Sequence, residues 1–204
     1  MKKMIFFLVF LVGCAPNIPI IPATKTQYEQ IIEMFTNLHT YKAIATVSYI
    51  SNKNINQYST IQIATIDGNY LIEVTDPQNV AGNVTVSGPT GIYQFNRPLN
   101  FSLSIGHSDT KERTSILFTN FVYKYLNSNN TSINSSEQFT ELTVLTNSQN
   151  SYMHSISLII DNNLNPITLI TYDINGEQRI VVNYIEFFYN IEVDTNIFTP
   201  QNIG

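Results

Sequence analysis

Cys14 is the residue of this 204-residue chain whose type and setting most directly imply chemistry. It closes the run Leu11-Val12-Gly13-Cys14, where a thiol can take a diacylglyceryl group before a peptidase cuts in front of it. Lys2 and Lys3 precede an apolar stretch from Met4 to Val12. A basic start and a short apolar core have the form of a secretory signal, too short to span a bilayer as a stable helix. The run resembles a bacterial lipobox. Cys14 is the only cysteine, so no disulfide can form within one chain. Pro16, Pro19 and Pro22 then recur at every third position, which favours an extended tether. The organisation expected is a lipoprotein signal peptide over 1–13, a lipidated Cys14 with a Pro-rich tether over 14–25, and a single domain over 26–204. Lipid on Cys14 would hold that domain on the extracytoplasmic face of the cell membrane, where durable anchoring requires more than one acyl chain.

The other reactive side chains do not assemble into a site. His39, His107 and His154 are the only histidines, and none lies at metal-ligand spacing with another His, a Cys or paired carboxylates. His39 falls at an expected helix end, where an imidazole meets the dipole favourably. No Gly-x-Ser-x-Gly elbow and no phosphate-binding loop is present, and Gly88-Pro89-Thr90-Gly91 reads as a turn. Asp67, Asp161, Asp173 and Glu177 fall at turns, where carboxylates belong for local reasons. No catalytic, cofactor-binding or metal residue is assigned, and the chain reads as a non-enzyme. Charged residues make up 12% of the chain and the net charge is −5, which excludes a basic nucleic-acid surface.

The elements must therefore position a surface rather than a reaction centre. Ile (28) and Asn (25) exceed a quarter of the sequence while Ala occurs six times, a bias toward strands and turns. A helix is expected over Gln27–Leu38, opened by the Thr26/Glu29 capping spacing, with Tyr28, Ile31, Ile32, Phe35 and Leu38 on one face. Strands follow over 41–50, 58–66 and 70–75, then a hairpin of 84–86 with 92–95. A second helix is expected after Ser108-Asp109, with Leu117, Phe118, Phe121, Val122, Tyr125 and Leu126 on one face. Asn127–Ser136 reads as a polar, mobile connector. Strands over 139–146, 152–160, 167–172 and 178–188 follow, punctuated by Asn165-Pro166 and Asn175-Gly176. Tyr184, Phe187, Phe188 and Tyr189 crowd the last strand. Either a helix and a loop cover its two faces, or one face is exposed to a partner or an acyl ligand. The fold class is α+β, an open antiparallel sheet with helices on its concave face.

Lipobox, N-terminal helix, hairpins, mid-chain helix and the closing Phe198-Thr199-Pro200 together resemble the LolA/LolB-like fold over about residues 25–200. The stretch Val84-Thr85-Val86-Ser87-Gly88-Pro89-Thr90-Gly91-Ile92-Tyr93-Gln94-Phe95-Asn96 is similar to the clostridial GerS-type germination lipoproteins. That resemblance implies a non-catalytic role in spores: binding and activating a zinc-dependent N-acetylmuramoyl-L-alanine amidase that prepares cortex peptidoglycan for muramic-δ-lactam formation. The zinc would be the amidase's, and the place would be the intermembrane space of the developing spore. The same superfamily also holds carriers and receptors for acyl chains or lipoproteins, and envelope-stress sensor domains. The long apolar closing strands further imply a homodimer by strand exchange.

Overall fold

The computed structural model describes residues 25–105, 114–146 and 151–199. Cys14, its signal segment, the tether through Thr24, and His107 lie outside the described residues. The first helix, α1, spans Gln27–Thr36 and opens on the expected capping box. The Thr26 hydroxyl accepts from the Glu29 N–H, and the Glu29 carboxylate accepts from the Thr26 N–H at 2.7 Å. The helix ends two residues earlier than its apolar stripe, because the Leu38 N–H bonds to the Phe35 carbonyl and tightens the last turn. Leu38 still enters the core, carried there by the turn that follows.

Eleven strands then form one antiparallel sheet: β1 (Thr40–Ile50), β2 (Ile55–Thr65), β3 (Tyr70–Asp76), β4 (Asn83–Gly88), β5 (Gly91–Asn96), β6 (Phe101–Ile105), β7 (Thr131–Ser135), β8 (Phe139–Leu145), β9 (Ser155–Asp161), β10 (Pro166–Tyr172) and β11 (Gln178–Tyr189). A second helix, α2 (Phe118–Asn127), separates β6 from β7. The spatial order runs β6-β5-β4-β3-β2-β1-β11-β10-β9-β8-β7, so the two meanders join where β1 pairs with β11. The sheet is open, with β6 and β7 at its two edges. Each meander needs only short hairpins, which is why turn residues punctuate the chain so regularly. At the junction, Asn190 adopts φ 51° and its side chain bonds the His39 N–H and the Asn37 carbonyl. Asparagine tolerates that left-handed backbone, and here it ties the end of β11 to the α1–β1 turn.

Strand alternation places Tyr41, Ala43, Ala45 and Val47 of β1 toward the helices, all buried. Leu142, Leu158, Leu169 and Val182 form a matching buried row across β8, β9, β10 and β11. This core closes under Ile31 and Phe35 of α1 and Phe118, Phe121, Val122 and Tyr125 of α2. A smaller core lies on the other face: Leu71, Val84, Val86 and Phe95, sealed by Phe198 from a 3-10 turn at Thr195–Phe198. The closing segment therefore acts as a strap across β3–β5.

Two expectations need correction. The connector 127–136 contains β7, which pairs with β8 from Thr131↔Val144 to Ser135↔Thr140. Its sequence Thr-Ser-Ile-Asn-Ser carries one apolar side chain, so backbone bonding rather than burial makes it a strand. Ser108-Asp109, after which the second helix is expected, lie outside the described residues; α2 itself begins at Phe118 and has no side-chain cap bond at Leu117.

Candidate functional site

The aromatic side chains converge at the β1–β11 seam. Phe118 is fully buried and meets Phe35, Tyr41, Tyr184, Phe187 and Tyr189 with ring centroids 4.8–6.4 Å apart. Tyr41 stacks on Phe187 at 5.0 Å, almost parallel. Such pairs each contribute about 0.5–1.5 kcal/mol beyond the area they bury. The space between α1, α2 and the sheet is thus filled by rings along this seam.

Within that core the Tyr41 hydroxyl accepts from the Phe118 N–H at 3.3 Å and donates to Gln62 Oε1 at 3.0 Å. Gln62, also fully buried, continues to the Thr60 hydroxyl, which donates to the Ala45 carbonyl. The relay satisfies the first N–H of α2, which no side-chain cap serves. Burial raises the phenols of both Tyr41 and Tyr184 above their ordinary value. The Tyr184 hydroxyl, however, is buried with no partner among the described residues. The two tyrosines should respond oppositely to loss of the hydroxyl. Tyr41→Phe strands Gln62 and the Phe118 N–H and is expected to cost about 1–3 kcal/mol. Tyr184→Phe removes an unsatisfied group and is expected to be neutral or stabilising by up to about 1 kcal/mol. Urea denaturation of both variants decides it; equal destabilisation would sink the relay.

Among the described residues only one face of β11 is roofed. Tyr184, Phe187 and Tyr189 pack against the core, whereas Ile185 and Phe188 on the strand are 65% and 48% exposed. A loop is one expectation for that second face; the strap that follows β11 crosses β3–β5 instead. At the sheet edge, Phe101 and Leu103 of β6 are 59% and 53% exposed and alternate with Ser102 and Ser104. An apolar edge strand with open backbone groups is a pairing surface.

A third feature lies where the β1–β2 loop, the β10–β11 hairpin and the 151–153 turn meet. Arg179 donates to Asp173 through Nε (2.8 Å) and Nη2 (2.6 Å), and to Asn52 Oδ1 through Nη1 (2.8 Å). Its guanidinium carbon sits 5.5 Å from the Tyr152 ring centre. Burial pushes the Asp173 carboxyl up, but the Glu177 N–H, the Arg179 guanidinium and the Asn175 N–H hold it below the usual carboxylate range. A cavity of ≈ 540 Å3 opens beside this cluster, lined by Tyr49, Asn52, Asn54, Asn56, Tyr152 and Met153 among others. The sequence placed Asp173 and Glu177 at a turn, and they are; it missed that Asp173 and Arg179 flank Asn175-Gly176 and face each other across the hairpin. Asp161 plays the local role expected, accepting the Asn163 and Asn165 N–H groups. His39 and His154 are exposed, with His154 just ahead of β9 rather than within a strand. Among the described residues no group of three His, Cys, Asp or Glu could hold a metal ion, and no helix is long and apolar enough to cross a membrane.

Comparison with known proteins places this architecture. The sequence pattern of the YdcC-like sporulation proteins matches residues 1–198. The chain belongs to that family. No curated protein sequence matches this YdcC-like protein significantly. Among solved structures it is similar to the GerS lipoprotein in complex with the CwlD amidase from Clostridioides difficile, with a TM-score of 0.52, 21% identity, and coverage of 80% of this chain and 94% of that one. An uncharacterized conserved protein from Thermus thermophilus gives a TM-score of 0.53 at 10% identity, covering 87% and 97%. A LolA superfamily protein from Nitrosomonas europaea gives 0.47 at 10% identity, covering 87% and 99%. The YdcC-like chain shares its fold with the GerS and Thermus thermophilus proteins, and it has the open antiparallel sheet with helices that its sequence predicts.

Proposed function

We propose that this YdcC-like protein is a non-catalytic sporulation lipoprotein, anchored through Cys14 on the extracytoplasmic face, that binds and activates a cortex-modifying N-acetylmuramoyl-L-alanine amidase. The observation that carries the reading is membership of a sporulation family over residues 1–198. The GerS complex, in which a protein of this fold sits with an amidase, supports the choice of partner. Two surfaces suit protein contact: the apolar β6 edge and the unroofed face around Ile185 and Phe188. The same edge permits a homodimer by strand pairing or exchange. The ring-filled seam favours partner binding over an acyl carrier, which needs open apolar volume between helices and sheet.

The test uses the full-length chain and the purified amidase of the same organism, with cortex peptidoglycan as substrate. The amidase is expected to release stem peptide only when the chain is added, and the chain alone is expected to release none. Hydrolysis by the chain alone, or an amidase indifferent to it, would overturn the reading. In sporulating cells Cys14→Ser is expected to shift the chain out of the membrane fraction; unchanged fractionation would remove the anchor. A strictly monomeric mass by light scattering across micromolar concentrations would remove the dimer.

A further inference from the structure

The cavity beside Arg179 has a composition that limits what it can take. Its volume of ≈ 540 Å3 lies within the about 300–1,000 Å3 of ordinary ligand sites. The floor is apolar, formed by the buried Met153 and Ile180 with Tyr49. The rim carries the amides of Asn52, Asn54 and Asn56 together with the solvent-exposed Lys53. The one buried cation beside it, Arg179, is already matched by Asp173. A phosphate or nucleotide would find only the solvated ammonium of Lys53 and no unmatched buried charge here. A long acyl chain would cover the amide rim without offering it hydrogen bonds, at a cost of about 1–3 kcal/mol for each polar group left unpaired.

The rim is also held in place before any ligand arrives. The Ser51 hydroxyl accepts from the Lys53 and Asn54 N–H groups and donates to the Asn54 carbonyl, fixing the β1–β2 loop. Arg179 ties Asn52 of that loop to Asp173 of the next hairpin and lies over Tyr152. A ligand entering the cavity therefore orders few side chains, which lowers the entropy lost on binding. Flat aromatic surface beside side-chain amides, with no net buried charge, matches a pyranose: its C–H face lies on a ring while its hydroxyls and acetamido groups exchange hydrogen bonds with amides.

The geometry points to this cavity as a saccharide-binding site for N-acetylated amino sugars, with Tyr152 as the platform and Asn52, Asn54 and Asn56 reading the polar edge. The preference for N-acetylated sugars over other neutral sugars rests on the proposed work beside an amidase on cortex peptidoglycan. Such a site would hold the glycan strand beside the partner enzyme, which raises the local concentration of substrate without any chemistry in this chain.

The test is calorimetric titration of the full-length chain, in a zwitterionic detergent, with tri-N-acetylchitotriose and, separately, maltotriose. Saturable binding of the chitotriose, weakened roughly tenfold or more by Tyr152→Ala, is the expected result. Asn54→Ala provides a second variant if Tyr152→Ala does not fold. No binding of chitotriose at millimolar concentration, equal binding of maltotriose, or an affinity unmoved by a folded variant would overturn the site. Palmitate captured at Tyr152 in place of the sugar would also overturn it. Amidase stimulation is read in a separate assay. Stimulation without chitotriose binding removes the cavity alone, and binding without stimulation removes the partner reading alone.

Discussion

Phe118→Ala is expected to destabilise the protein by about 3–5 kcal/mol, enough to leave many domains of this size largely unfolded. Phe118 is fully buried at the point where α2 meets the β1–β11 seam, and five rings surround it. Truncation removes the transfer free energy of the ring and also the edge-to-face contacts with its neighbours. The void cannot collapse cheaply, because Tyr41 is held by Gln62 and the Phe118 N–H, and Tyr189 donates to the Leu164 carbonyl at 2.7 Å. Phe118→Leu keeps most of the volume and is expected to lose less than half as much. A urea midpoint for each variant against the parent chain checks the order. An alanine variant within about 1 kcal/mol of the parent would mean that the seam is loosely packed, contrary to the packing seen in native cores. It would also reopen the acyl-carrier reading, since a slack seam could admit a chain.

The surroundings of Phe118 also show what the sequence made legible. Helical periodicity placed Phe35, Phe118, Phe121 and Tyr125 on two apolar stripes, and those stripes do face the same core. Alternation found nine of the eleven strands, because a buried face imposes period two on the sequence. It failed for β7, where all five residues are exposed and only the ladder to β8 defines the strand. The strand β6 was missed for a different reason. Phe101-Ser102-Leu103-Ser104-Ile105 alternates cleanly and could have been found, but it stands at an edge beside the Arg97-Pro98 turn rather than in a hairpin with strong turn chemistry. The cluster of Arg179, Asp173, Asn52 and Tyr152 was not legible. Its members lie up to 127 positions apart, and only the meeting of three loops at one end of the sheet brings them together. The proposed partner surface has the same character: exposure of Ile185 depends on where the closing segment travels, and no local pattern encodes that path.

That path supplies the second large effect. Gly88→Ala is expected to cost about 3 kcal/mol, at the upper end of what overpacking does, although the position looks like an ordinary turn glycine. The turn explanation does fit Gly68, whose φ of +92° favours glycine while a Cβ there would meet nothing within 4 Å. At Gly88 the requirement is space. Its φ lies outside the left-handed region, but a Cβ would stand 2.0 Å from the Phe198 carbonyl oxygen and 3.0 Å from its carbon. Those atoms are backbone and cannot swing aside as a long side chain would. The 3-10 turn must lift, and Phe198 then leaves the apolar surface of Leu71, Val84, Val86 and Phe95 that it seals. Burying a phenylalanine is worth about 1.5–3 kcal/mol, so the loss is comparable to the strain it relieves. The cause can be isolated by removing the strap. In a chain ending at Ile191 the same substitution should be nearly neutral, giving a strong non-additive coupling between the two changes. Additive losses in chemical denaturation would show that Gly88 serves the β4–β5 turn and not the strap. The coupled outcome would also explain how one face of β3–β5 is closed while the neighbouring face of β11 stays exposed among the described residues: the closing segment reaches the first, docks through a glycine, and does not cover the second.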